Sequence, residues 1–228
     1  MPNVLCALER LSMELNTTIL TMGSLVEEML VGAVDALGRQ DVGSARALLT
    51  RHRLVGRHVH QVDELALALL LHDGRQEAIL RLATATMAIA RDLDHMASLA
   101  VDVAECALHA TSRPPSRPML DLHRLEEIAR RMLRDALQAF ARRSAPLARA
   151  ISHDENEEDG VCQSLGRDLE TLMMDEPAQV SGSMTLLLAS RSLQRVCDHA
   201  TCIAESIVFI AEGAPVPVIP HGETTAPR

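Results

Sequence analysis

Three pairs of polar side chains in this sequence stand four residues apart: Asp94 and Ser98, Gln194 and Asp198, and Glu155 and Asp159. On an α-helix, positions i and i+4 project from one face, a single turn apart. Oxygen ligands so placed on neighbouring helices can cage a hard or borderline cation. The third pair lies inside the acidic run Asp154-Glu-Asn-Glu-Glu-Asp159, the densest block of negative charge in the chain. Asp198, Glu155, Asp159 and Asp94 are therefore the candidate metal ligands.

The elements that must position them repeat. Asp92 to Glu105 and Ser192 to Glu205 are one unit written twice: Leu93 answers Leu193, Met96 answers Val196, Ala100 answers Ala200, Val103 answers Ile203 and Glu105 answers Glu205. A long-period repeat of this kind sets the architecture. Apolar residues at helical spacing predict helices over about Val4–Leu37, Ser44–Leu71 and Arg75–His109, with Asp41 as the cap of the second. Prolines 114, 115 and 118 then interrupt the pattern. The same order returns as helices over about Met119–Arg143, Pro146–Met174 and Ala178–Glu212, and Gly213 stops the last. No alternating strand pattern occurs. The expected fold is all-α, two tandem antiparallel three-helix bundles, with boundaries at 1–112, a proline-rich linker at 113–118, 119–213 and a disordered tail at 214–228.

Composition narrows the function classes. A net charge of −9, with no Trp or Tyr and only Phe140 and Phe209 as aromatics, argues against nucleic-acid binding, which calls for a basic surface and stacking rings. The longest unbroken apolar run, Leu65 to Leu71, is far short of the roughly 20 residues that cross a bilayer. Glu9, Arg10 and Glu14 stand where a signal peptide would be apolar, so a cytoplasmic protein without a membrane span is expected. Five cysteines, with no Cys-x-x-Cys pair, signal neither a disulfide framework nor a zinc knuckle. No nucleophile with a base partner and no Gly-rich phosphate loop is visible, so no enzyme is expected. Among the histidines, His95 follows Asp92 by three residues, half of a di-metal Glu-x-x-His signature that lacks its second copy. His199, next to Asp198, is read as packing or hydrogen-bonding.

The doubled segment resembles the pattern Leu-Glu-Arg-x-Gly-Asp-x-Ala-x-x-Ile-Ala-Glu, which closes each of two three-helix units in the PhoU family of phosphate-signalling regulators. Met22-Gly-x-x-Val26-Glu27 is similar to that family's opening helix, Asp198-His-Ala-x-x-Ile-Ala-Glu205 to its close, and Arg81 stands at the arginine of its Asp-Leu-Arg element. The resemblance covers nearly the whole chain. It implies a cytoplasmic negative regulator, likened to an adaptor between the ATPase of a phosphate transporter and a sensor histidine kinase, and a homodimer. It also implies divalent or iron-type metal ions bound through Glu-x-x-x-Asp motifs. Both copies depart from that motif here: Ser98 replaces the aspartate in the first, and Gln194 the glutamate in the second. His52 stands near the acidic position of the second helix of repeat one. The alternative readings are a carboxylate-bundle metalloprotein or metalloenzyme, and a divergent paralogue serving another transporter.

Overall fold

The computed structural model describes residues 2–109, 116–151 and 155–213. Among these residues every regular element is helical: α1 (Pro2–Arg39), α2 (Val42–Asp73), α3 (Glu77–His109), α4 (Ser116–Arg142), α5 (Ala145–Ala150), α6 (Glu155–Asp175) and α7 (Val180–Glu212), with a short 3-10 turn, Pro177–Gln179, before α7. The expected tail, 214–228, lies outside the described residues.

The two repeats are built alike down to their corners. At the end of α1, Gln40 takes a left-handed conformation (φ 54°) while the amide of Asp41 donates to the Ala36 carbonyl at 2.9 Å. Asp41 then caps α2, accepting from the Ser44 amide at 3.1 Å. At the end of α4, Arg143 (φ 49°) and Ser144 repeat both steps, and Ser144 accepts from the Leu147 amide at 3.4 Å. Such corners satisfy the carbonyls left open at one helix end and the amides left open at the next. A shift of 103 positions superposes α1 on α4 and α2 on α6, matching buried Met22 with Leu125, Val26 with Ala129 and Val62 with Leu165. A shift of 100 positions superposes α3 on α7.

The elements differ from expectation in two places. One helix was expected over Pro146–Met174, but α5 and α6 replace it. Residues 152–154, between them, lie outside the described residues. Helix α4 begins at Ser116, inside the segment expected as linker. Pro118 is tolerated there because the amides of a first helical turn have no partner within the helix.

The repeats do not bury separate cores. Helices α1, α3, α4 and α7 form a central layer, with α2 against α1 and α3 on one flank and α5 and α6 against α4 and α7 on the other. One apolar cluster runs through both repeats, from Leu15 and Met29 through Leu93 and Met96 to Leu125, Leu193 and Ile203. Helices α1 and α4 run antiparallel, with Gly23 beside Leu137 and Gly38 beside Met119. Helices α3 and α7 also run antiparallel, Asp92 meeting His199, and Arg81 at the start of α3 packs over Gly213, the left-handed cap of α7. A guanidinium at that position favours the negative end of the α7 dipole.

By length and composition, the Ala7–Arg39 stretch of α1 is apolar enough to cross a membrane, although polar residues break up its apolar runs. Its stripe of Leu15, Ile19, Met22, Val26, Met29 and Leu30 is buried in the shared core instead.

Gly23 is where the α1–α4 approach is closest, since a Cβ there would fall 2.2 Å from a Leu137 methyl. Gly23→Val is expected to lower stability by about 1–3 kcal/mol through overpacking. Gly166→Ala on α6, where a Cβ meets nothing within 4 Å, is expected to raise it by about 0.5–1 kcal/mol. Urea midpoints of the two variants check both signs.

Candidate functional site

In the first repeat, α2 and α3 turn His52 and Asp94 toward one another. Nε2 lies 3.5 Å from Oδ1, with each side chain about a third exposed (33% and 36%). Gly56, one turn further along α2, lies against the carboxylate: a Cβ there would stand 4.0 Å from Asp94 Oδ1, at ordinary van der Waals contact. Ser98 follows Asp94 by one turn and is partly exposed. Asp94 thus has an imidazole beside it and a hydroxyl one turn on, at the position of the motif's aspartate. A hydroxyl is a poorer ligand than a carboxylate for a multinuclear cation cluster, because it brings no charge to offset the metal.

The second repeat has different chemistry at the matching place. The shift of 103 puts Glu155 at the position of His52, Asp159 at that of Gly56, Glu158 at that of buried Val55, and Cys162 at that of Val59. The side chain of Glu155 lies outside the described residues. Glu158 is a carboxylate only 3% exposed, on the stripe that also carries Val161 and Leu165. It accepts a hydrogen bond from the Cys162 thiol at 3.1 Å. The charges of Asp159 on α6 and Asp198 on α7 both bear on the same thiol. Burial, first, and then the Glu158 hydrogen bond and the surrounding carboxylates push the Cys162 thiol far above its ordinary range. Cys197, directly before Asp198 on α7, is buried and pushed up likewise.

Glu158 and Cys162 were not anticipated. The legible signal was positional: within the acidic run, Glu158 alone falls at i, i+3 and i+7 with Val161 and Leu165, the spacing of a core stripe. A carboxylate on such a stripe must find polar partners, because an uncompensated buried charge is strongly destabilising.

A family model described as the PhoU domain matches residues 19–107 and 122–207, one copy over each repeat. The chain belongs to the PhoU family. It is 30% identical over 210 residues to the phosphate-specific transport system accessory protein PhoU homolog of Rhizobium meliloti, covering 92% of this chain and 87% of that protein. The Escherichia coli phosphate-specific transport system accessory protein PhoU is 26% identical over 199 residues, covering 87% of this chain and 83% of that one. The crystal structure of PhoU from Pseudomonas aeruginosa superposes with a TM-score of 0.84 at 27% identity, over 90% of this chain and 99% of that chain. The PhoU structure from Streptococcus pneumoniae, at 22% identity and a TM-score of 0.82 over 92% of this chain and 99% of that one, shows the same fold.

The segments that carry the PhoU resemblance do structural work here. Gly23 of the opening helix seats Leu137, and Glu27 pairs with Arg134 and lies 3.9 Å from Arg130. Arg130 in turn sits 3.1 Å from Glu126, whose carboxyl is raised by burial and held back by that guanidinium.

The thiols report on this electrostatic setting. Cys106 and Cys202 are pushed up to about 11, chiefly by burial, so iodoacetamide at neutral pH should modify them about a hundredfold more slowly than a free thiol, since the thiolate is the nucleophile. Cys162 should react more slowly still. Glu158→Gln, which removes a negative charge beside it, is expected to speed Cys162 labelling several-fold and leave Cys106 unchanged, as read by peptide mass spectrometry over a time course.

Proposed function

We propose that the protein is a cytoplasmic negative regulator of phosphate uptake and phosphate-responsive signalling. It works by contact, as a non-enzymatic adaptor between the ATPase of a phosphate transporter and a sensor histidine kinase. Membership of the PhoU family over both repeats supports this reading, as does similarity to accessory proteins of phosphate-specific transport systems. The observation that carries the contact mechanism is an unpartnered apolar stripe on α7: Val180, Met184 and Leu188, four residues apart and 40%, 44% and 55% exposed. Leu67 and Leu71 on α2 repeat the spacing and are also exposed. Apolar side chains grouped at the surface mark interaction faces. An adaptor shifts a partner's equilibrium only by binding one of its states better than another, and such faces provide that difference.

In this reading a divalent or iron-type cation of the family's kind belongs to the second repeat, at Asp198 with Asp159 and Glu155. Asp94, beside His52, is the candidate ligand of the first repeat.

Deleting the gene should derepress phosphate-regulon reporters in phosphate-rich medium, and the intact gene should restore repression. Unchanged reporters after deletion would overturn the regulatory reading. A Met184→Asp, Leu188→Asp double variant, folded as judged by circular dichroism, should fail to restore repression; full complementation by it would remove α7 as the contact face.

A further inference from the structure

The seam between α3 and α7 carries a cluster that uses none of the Glu-x-x-x-Asp ligand positions. Asp92 and His95 project from α3, and His199 from α7, with ligand atoms that all lie within 4.8 Å of one another. His199 Nδ1 lies 3.0 Å from Asp92 Oδ1, and the two side chains are largely buried at 18% and 19% exposure. The ring of His95 stands edge-on to that of His199, with centroids 5.2 Å apart and planes at 60°. His95 itself is exposed, so its ring can swing without disturbing the core.

The repeat symmetry isolates what is special here. Applied to α3 and α7, the shift of 100 carries Asp92, His95 and His199 onto Ser192, Arg195 and Leu99. None of those three replacements is an imidazole or a carboxylate. That second end of the seam holds its own cation: Arg195 lies close enough to Asp102 to favour its ionised form, against burial and the neighbouring Glu105. At the first end the counterparts of Asp102 and Glu105 are Cys202 and Glu205, and the carboxylates of Asp92, Glu205 and Asp198 all bear on the Cys202 thiol. The position of Arg195 is taken there by an imidazole. This end of the seam therefore offers two imidazole nitrogens and a carboxylate where its twin has a leucine, an arginine and a serine.

We infer that Asp92, His95 and His199 form a mononuclear site for a zinc-class divalent transition metal, which bridges the two repeats. Two imidazoles and a carboxylate suit borderline ions of this class, with an open position left for water. Tetrahedral coordination at 2.0–2.1 Å places ligand atoms about 3.4 Å apart, a contraction that rotation of His95 and His199 supplies. The bound ion ties α3 to α7 and supplies the positive charge that Arg195 supplies at the other end.

The test is equilibrium dialysis of the intact protein against Zn2+, paired with the visible absorption of the Co2+ form. In an Asp198→Ala background, where a site of the family's kind is empty, one metal per chain is expected, with an affinity about 10- to 100-fold weaker when His95→Ala or the milder His95→Gln is added. The bound metal should raise the thermal midpoint of Asp198→Ala more than that of either double variant, because a ligand that binds only the native state stabilises it. No bound metal in Asp198→Ala, or full affinity retained by both double variants, would overturn the assignment.

Discussion

The antiparallel contact of α3 with α7 is the constraint on which the other elements depend. Its buried positions are small where the helices meet: Ala97 and Cys197, Ala100 and Ala200, Ala104 and Ala204. Small side chains let two helix axes approach closely, and the larger Leu93, Leu193, Val103 and Ile203 fill the space to either side. Each repeat's remaining helices then cover an outer face of this pair. A three-helix repeat taken alone would expose the seam side of its third helix, so neither repeat has a complete core without the other.

Glu27 on α1 and Arg130 on α4 correspond under the shift of 103 and face one another across the α1–α4 contact, as residues near a local twofold axis would. A residue close to such an axis faces its own counterpart, and two like charges there would repel. Glu27 opposite Arg130 resolves this with opposite charges, 3.9 Å apart and partly buried. The apolar skeleton follows the symmetry, while the polar residues break it. Glu158 stands where Val55 is buried, Cys162 where Val59 packs, and Asp92 with His95 where Ser192 and Arg195 sit. Those substitutions confine ligand chemistry to particular corners of a nearly symmetric scaffold.

Much of the fold was legible because it rests on local periodicity. The stripes of α1, α3 and α7, the cap at Asp41 and the stop at Gly213 all appear as residue spacing. The break between α5 and α6 was not legible, because Ser152 and Asp154 in an otherwise helical pattern mark either a break or an exposed helical face. The sharing of one core was equally hidden, since periodicity says which face of a helix is buried and not what covers it. At the candidate sites, the pairing of His52 with Asp94 was foreshadowed by placing His52 at the acidic position. Glu158 was passed over because an acidic run reads as a solvated face. The meeting of Asp92, His95 and His199 joins residues 107 positions apart across a tertiary seam, beyond the reach of any spacing rule.

Native-state hydrogen exchange tests most directly whether the seam holds the molecule together. A shared core predicts that the amides of residues 93–104 and 193–204 exchange at one common, highest free energy, equal to that of global unfolding from urea titration. It also predicts that the two repeats lose structure in a single transition. Exchange of one repeat's third helix at a markedly lower free energy, with the other repeat still protected, would show two independently stable bundles and contradict it.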